Sequence, residues 1–272
     1  MTRERQLPEL PVETFSAAEG RKELQRRTRR GFLALGGAAL AAAAGFRWLQ
    51  GRPEDEGIPG PLRRALAFDE QVSRAAFSRQ RLAPEFPLAQ AKMPRANGLV
   101  GLDDEFDPAD WSLAVTGLAG GDRKLALADV QALPRREMVT EFKCIEGWSE
   151  IVHWGGVRLA DFAARYPPAT PSGQPLDLAA RPGDVPACVS LATPDEEYYV
   201  SLDADSALHP QTLLAWEMNG APLSSDHGAP LRLVIPVKYG IKNLKRIGSI
   251  AWTAVRGADY WAERGYDWYA GH

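Results

Sequence analysis

One apolar stretch, Gly31 to Phe46, does most to limit what this chain can become. Arg30 and Arg47 bound it, and no second run of comparable length follows. A polytopic membrane fold is therefore excluded. As a helix its 16 residues would cover about 24 Å, short of a hydrocarbon core of roughly 30 Å. Trp48 and Leu49 extend it only if Arg47 snorkels. Charge divides near the same point. Residues 1–50 carry nine basic and five acidic groups, net +4, whereas residues 51–272 carry 23 and 30, net −7. That balance excludes a general nucleic-acid binder. Two cysteines are too few for a disulfide scaffold.

The residues ahead of the stretch, Arg26-Arg27-Thr28-Arg29-Arg30-Gly31-Phe32-Leu33, give a positive flank, a moderately apolar core and then small residues. This is the layout of an export signal. Thr28 to Leu33 resembles the twin-arginine signal, with Ala34 where lysine is common, and Ala41–Ala44 offers sites for cleavage. The resemblance implies export of an already folded protein to the periplasm or another extracytoplasmic space, often with a cofactor inserted beforehand. The competing reading is an uncleaved inner-membrane anchor, with membrane association through residues 31–49.

Three segments are expected: a signal or anchor over 1–50, a linker and helix over 51–83, and one domain over 84–272. Pro53, Pro59, Pro61 and the neighbouring glycines mark the linker. Apolar spacing predicts a helix over Leu62–Leu82, and short helices are expected at Leu125–Leu133 and Arg158–Tyr166. Strands are expected at Trp111–Gly117, Ala187–Ala192, Glu197–Leu202, Thr212–Met218, Leu231–Val237 and Ile247–Val255, with Asn219-Gly220 as a tight turn. Strands outnumber helices without regular alternation, so the fold class is α+β, with mixed sheets and short helices.

Two constellations carry chemistry. In the first, Cys144 ends the strand-like run Glu141-Phe142-Lys143 and enters Ile145-Glu146-Gly147-Trp148-Ser149, continuing through Trp154-Gly155-Gly156. A thiol placed so, beside Lys143, can be exposed and held as thiolate. Two other readings stand beside that one: a buried inert cysteine, or a disulfide with Cys188. Zinc is disfavoured, because no second Cys or His lies at ligand spacing. The second constellation begins at Asp226-His227-Gly228. From His227 to Ala258 there is no acidic residue but six basic ones: Arg232, Lys238, Lys242, Lys245, Arg246 and Arg256. Interleaved with Gly, Pro and Tyr between two apolar strands, they suit an anion site. A solvated basic face is the alternative.

At these stretches the chain resembles the sulfite oxidase family, in its molybdopterin-binding domain. The Cys144-Ile-Glu-Gly-Trp-Ser segment with Trp154-x-Gly156 is nearest the variant of the periplasmic methionine-sulfoxide reductase catalytic subunit. His209-Pro210-x-Thr212-Leu213-Leu214, Met218-Asn219-Gly220-x-Pro222-Leu223, Gly228-Ala229-Pro230-x-Arg232-Leu233 and Pro236-x-Lys238-Tyr239-Gly240-x-Lys242-x-x-Lys245 follow in family order. The similarity runs from about Asn97 to Trp268, within the 84–272 domain.

This resemblance implies a sulfite-oxidase-type fold holding a molybdenum-molybdopterin cofactor, one molybdenum per chain, with Cys144 as protein ligand to the metal. It places Asn97, His227, Arg232, Lys245 and the backbone at Asn243 and Leu244 against the pterin and its phosphate. Tyr239 and Lys238 become candidates for substrate contact, with a packing tyrosine and a surface lysine as alternatives. His227 matches sulfite oxidases, whereas the methionine-sulfoxide reductase has Asn there. The implied activity is oxygen-atom transfer on a small, sulfur-containing substrate, in a direction the motifs leave open. No Cys-x-x-Cys-His motif is present, so electrons are expected to pass to or from a separate protein, a cytochrome or a membrane haem subunit. Little chain follows the last matched strand, so the dimerisation domain of longer sulfite oxidases is not expected and a monomer is. Two other functions stay open: a non-catalytic periplasmic binding module that kept the fold, or a membrane-anchored subunit of a quinone-linked redox complex.

Overall fold

The computed structural model describes residues 17–272 apart from residue 56 and residues 103–105. The opening of the expected signal, residues 1–16, lies outside the described residues. The chain divides into two compact units, Met1–Pro53 and Glu54–His272.

Among its described residues the first unit has one helix, α1 (Ala17–Gln50), with none of its described side chains buried. It does not stop at Arg47. Leu24–Gln50 has 27 residues, and an 18-residue window within it reaches a mean hydropathy of 1.5, enough to cross a membrane by length and composition. The helix continues through Arg47, because arginine is a good helix former, so Trp48 and Leu49 lie on the same helix as the apolar run.

The second unit opens with a small antiparallel pair, β1 (Glu54–Asp55) and β2 (Ile58–Pro59), followed by α2 (Gly60–Ala76). Pro61 fits the first turn of that helix, where a missing N–H costs nothing. The helix ends at Ala76 and does not reach Leu82, because Phe77 turns extended. The Phe77 ring then packs on His209 and Tyr269. Residues 54–83 thus belong to the same compact unit as the rest, with Arg63 donating to the carbonyl of Ala262.

Two five-stranded sheets follow. One contains β3 (Leu113–Thr116), β4 (Arg123–Leu125), β7 (Cys188–Ala192), β8 (Tyr199–Asp203) and β12 (Ser249–Thr253), in the order β4-β3-β12-β7-β8. The β3–β12 pairing is parallel and joins Ala114 to Ser249. The other sheet contains β5 (Arg136–Lys143), β6 (Ser149–Arg158), β9 (Leu213–Met218) and β10 (Ala221–Pro222), with β11 (Arg232–Val234) also on β9. The helices α3 (Leu127–Gln131), α4 (Leu159–Arg165) and α5 (Ala204–Ala207) are short. This is the expected α+β fold.

Alternation along β9 explains the layering. Leu214 and Trp216 enter the main core with Leu113, Val115, Leu191, Leu202, Phe162 and Ile250, while Leu213 and Ala215 enter a smaller cluster with Met138, Val152 and Trp154, which Met218 joins past the register shift at Trp216. Asn219 and Gly220, both at positive φ, make the two-residue turn into β10. The strand β6 is an addition to the sequence reading, which expected no strand over these residues. Here the register shifts between Gly155 and Gly156, a bulge. A Cβ on Gly156 would lie 2.3 Å from the carbonyl oxygen of Leu214, so only glycine lets β9 approach.

Candidate molybdopterin site

The strands β5 and β6 form a hairpin whose loop begins at Cys144. The Cys144 N–H donates to the carbonyl of Trp148 at 2.9 Å, and the Gly147 N–H donates to that of Cys144 at 3.2 Å. Gly147 takes the positive φ this closure needs. Alternation along β5 sends Phe142 toward the smaller cluster, and Cys144, two residues on, shares a cavity wall with it. Cys144 is half-buried and free, and Cys188 is buried and free. The disulfide reading fails. Burial pushes the Cys188 thiol up and leaves it a packing residue.

Cys144 opens onto a cavity of about 190 Å³, shared with Asn97, Arg232, Asn243 and Lys245. Phe142, Tyr198, Trp261 and Tyr266 supply aromatic walls. His227 lies in an adjoining recess that shares Asn97, Phe142, Arg232 and Lys245 with this cavity. A larger hollow of about 410 Å³ is lined by Glu141 and Lys143 rather than Phe142 and Cys144, and holds none of the expected site residues except the side of that strand.

Arg232 is the most telling group. Leu231 and Leu233 enter the main core, so Arg232 points to the opposite face, 4.8 Å over the Trp154 ring and 5.8 Å from that of Phe142. It is 3% exposed. Its Nη1 donates to the carbonyl of His227 at 2.9 Å, and its Nε meets no acceptor. Among the described residues no carboxylate pairs with it, and burial pulls it down to about 10. A buried guanidinium without a counter-ion is costly unless an anion is meant to arrive.

Lys245 is the second cation. Its Nζ donates to the carbonyls of Asn97 (2.5 Å), Asp226 (2.7 Å) and Gly98 (3.2 Å). Burial, then Arg232, pull it down to about 8. Gly228, at φ 94°, makes this packing possible, because a Cβ there would lie 2.7 Å from the Cβ of Lys245. Burial and the same two cations hold His227 below its ordinary value. The imidazole is therefore neutral near pH 7 and acts by hydrogen bonding rather than charge.

Other expected residues fall elsewhere. Asn243 lines the cavity, but its side chain braces its own loop. Oδ1 accepts from the Ile235 N–H, and Nδ2 donates to the carbonyl of Tyr239. Leu244 is fully buried in the core. Its N–H donates to Lys242 and its carbonyl accepts from Leu233, so its backbone is already spent. Tyr239 packs on His272, with ring centroids 5.0 Å apart. Lys238 is neither at the cavity nor on the surface. It is 2% exposed, with Nζ over the Tyr269 ring and without a hydrogen-bond partner.

The basic run also divides. Lys242 is buried in an ion pair with Asp259. Arg246 stacks on Phe106, and Arg256 pairs with Glu70 at the surface. Only Arg232 and Lys245, of the six, reach the cavity wall. Gly98, Val100, Glu146, Tyr198, Trp261 and Tyr266 were not singled out by sequence reasoning. Only Glu146 lay inside a quoted motif.

The described residues contain no cluster of three or more His, Cys, Asp or Glu able to cage a metal. A metal here needs one soft thiolate from the chain and its remaining ligands from an anionic cofactor that Arg232 and Lys245 can grip. The residues fit such a group. Arg232 brings an unused buried donor, and Cys144 a free thiol.

The site is thus that of a redox protein carrying its metal on an organic, negatively charged cofactor. Residues 100–261 match the oxidoreductase molybdopterin-binding domain, and the chain belongs to that family. It is 32% identical over 257 residues to a protein of Azospira oryzae with the provisional name protein-methionine-sulfoxide reductase subunit YedZ1, covering 92% of this chain and 90% of the relative. It is 29% identical over 252 residues to the protein-methionine-sulfoxide reductase catalytic subunit MsrP of Campylobacter jejuni, covering 89% and 80%. The sulfane dehydrogenase SoxCD from Paracoccus pantotrophus superposes with a TM-score of 0.47 and 18% identity, over 56% of this chain and 40% of that one. The protein is a molybdopterin-dependent oxidoreductase of the sulfite oxidase family.

The cation pair has a pH signature. Lys245 is charged below about pH 8 and loses its proton above it. Sulfate, a dianion throughout this range, should therefore bind the cofactor-free protein with constant affinity below that value and progressively more weakly above it. Titration calorimetry from pH 6.5 to 9.5 checks this. Lys245→Met should bind weakly throughout and lack the alkaline limb.

Proposed function

We propose that this chain is the exported catalytic subunit of a molybdenum-dependent S-oxide reductase, taking electrons from a separate membrane haem partner. The observation that carries the reading is Cys144, a free, half-buried thiol in a cavity wall it shares with an unpaired buried guanidinium. A molybdenum–pterin group bound there supplies two-electron oxygen-atom transfer. Cys144 would ligate the metal, one per chain, while Arg232 and Lys245 hold the cofactor's phosphate and Asn97 its pterin. Tyr198 has its hydroxyl committed to the carbonyl of Ile241 and its pKa pushed up by burial, so it shapes the wall as a neutral phenol.

Two observations favour an S-oxide over sulfite. Val100, Ile145, Trp261 and Tyr266 line the cavity, and that apolar company suits a thioether-derived substrate better than a small anion. The relatives bear reductase names, and they are named as subunits, which supports a partner. His227, the residue that points toward sulfite oxidation, is held neutral here.

Full-length protein matured with molybdate tests the reading. About one molybdenum and one pterin per chain is expected, with Cys144→Ser losing metal-bound thiolate absorption and at least about a hundredfold of turnover, as expected on removing a metal ligand. A methionine-sulfoxide peptide with a reduced dye should be turned over, and sulfite with an oxidised acceptor should not. Sulfite as the sole substrate would reverse the assignment. Protein lacking both molybdenum and pterin would overturn it.

Membrane anchoring is the second reading for the N-terminus, favoured by Leu24–Gln50. N-terminal sequencing of the membrane fraction decides it. An intact Met1 establishes an anchor, and a start after Ala41–Ala44 establishes a cleaved signal.

A further inference from the structure

Glu146 is out of place electrostatically. Among the described residues it is the one acidic group lining the Cys144 cavity, where Arg232 and Lys245 otherwise set the charge. A carboxylate there opposes any anionic ligand, so its presence calls for a compensating role. Its Oε2 accepts from the Nδ2 of Asn97 at 2.9 Å and from the Nε1 of Trp148 at 3.0 Å. Trp148 closes the Cys144 loop through its backbone. One carboxylate oxygen therefore ties the thiol-bearing loop to the segment around Asn97.

That segment has little else to hold it. Among the described residues, no backbone–backbone hydrogen bond involves residues 93–98. The flanking ones begin at Lys92, which donates to Ile151, and at Leu102, which donates to Leu99. Pro94 is buried and Arg95 lies 6.0 Å from the Trp148 ring centroid, and the segment's hydrogen-bonded fixed points are Lys245, on the carbonyls of Asn97 and Gly98, and Glu146, on the side chain of Asn97. The second contact also decides which way the amide faces. An ionised carboxylate only accepts hydrogen bonds, so it must meet Nδ2, which fixes the amide orientation and turns Oδ1, the one acceptor of the group, away from Glu146.

We propose that Glu146 is a positioning residue that latches the segment 93–98 across the cavity and presents Asn97 as a hydrogen-bond acceptor toward the N–H edge of the pterin. The proposal rests on the molybdopterin reading of the cavity. Its cost is one negative charge near an anionic cofactor, offset by a fixed acceptor and an ordered wall. Such preorganisation is what a loosely held polar segment otherwise lacks.

Four full-length variants test it: Glu146→Ala, Glu146→Gln, Asn97→Asp, and Asn97→Asp with Glu146→Gln. Two readouts are used, pterin and molybdenum per chain after maturation, and the rate of tryptic cleavage after Lys92 and Arg95 in cofactor-free protein. Glu146→Ala removes the acceptor and Asn97→Asp faces two carboxylates. Each should speed cleavage and lower cofactor content about tenfold, the scale of one lost charged hydrogen bond. Glu146→Gln keeps an acceptor and should stay within about twofold of wild type in both readouts. The double variant restores a donor–acceptor pair at unchanged net charge, so it should recover what Asn97→Asp loses. Wild-type cleavage and loading in Glu146→Ala, or a double variant no better than Asn97→Asp alone, would overturn the latch. Absence of pterin from the wild type would overturn the cofactor reading instead, and the cleavage measurements would still decide the latch.

Discussion

Arg232→Met should move two quantities in opposite directions. In cofactor-free protein it should leave stability unchanged or raise it by up to about 3 kcal/mol, because replacing a buried charge with apolar volume is often neutral or stabilising. The thioether can occupy the space between Trp154 and Phe142 that the guanidinium now fills. The loss is one hydrogen bond to the His227 carbonyl. Retention of the pterin cofactor should fall by roughly 2–5 kcal/mol, the range for truncating one partner of a buried charge pair. Thermal unfolding of the cofactor-free protein and pterin content of the matured protein measure the two effects. If both fall together, Arg232 is structural and the anion-site reading of the cavity is wrong.

Asp259→Ala should give the largest loss of stability. Its carboxylate is paired with Lys242 and also accepts from the N–H groups of Ser201 at 3.1 Å and Ala262 at 3.2 Å. Lys242 is 1% exposed, and burial pulls its pKa down. Removing the partner strands an ammonium and two amides away from water. The expected cost is about 3–5 kcal/mol, which for a domain of this size lowers Tm by roughly 10 °C or more. Asp259→Leu with Lys242→Met should recover much of it, since the charge is then removed rather than orphaned. Trp261 lies between Asp259 and the bonded Ala262, so the single variant should also loosen the aromatic wall and lower cofactor content. A change below about 1 kcal/mol, the scale of an exposed pair, would show that the pair is hydrated in solution.

How far the site can be read from the chain depends on what kind of contact each residue makes. Cys144 and Arg232 announce themselves, one as a thiol before a turn and the other as a charge inside an apolar strand. The basic run does not resolve itself, because charge counting cannot tell which lysine has a carboxylate waiting elsewhere in the fold. Lys242 finds Asp259, Lys238 finds the Tyr269 ring, and only Arg232 and Lys245 reach the cavity. Tyr198, Trp261 and Tyr266 carry no local signal, since they look like any core aromatics until tertiary structure brings them to Cys144. The fold behaves likewise. Alternating strands such as Leu113–Thr116 are visible from period alone. The register shift beside Gly155-Gly156 is not, because a glycine pair has no apolar period and its use shows only when the neighbouring strand comes close.

The parallel pairing of β3 with β12 sets an order of events during synthesis. Ala114 cannot acquire its partner Ser249 until β12 has been made, and pairings of such sequence separation form slowly. The cavity closes later still, since Trp261 and Tyr266 come after β12. A chain still short of Tyr266 therefore has its cysteine hairpin but lacks part of the aromatic wall around it. On the proposed reading, pterin capture waits on the joining of segments made far apart in time.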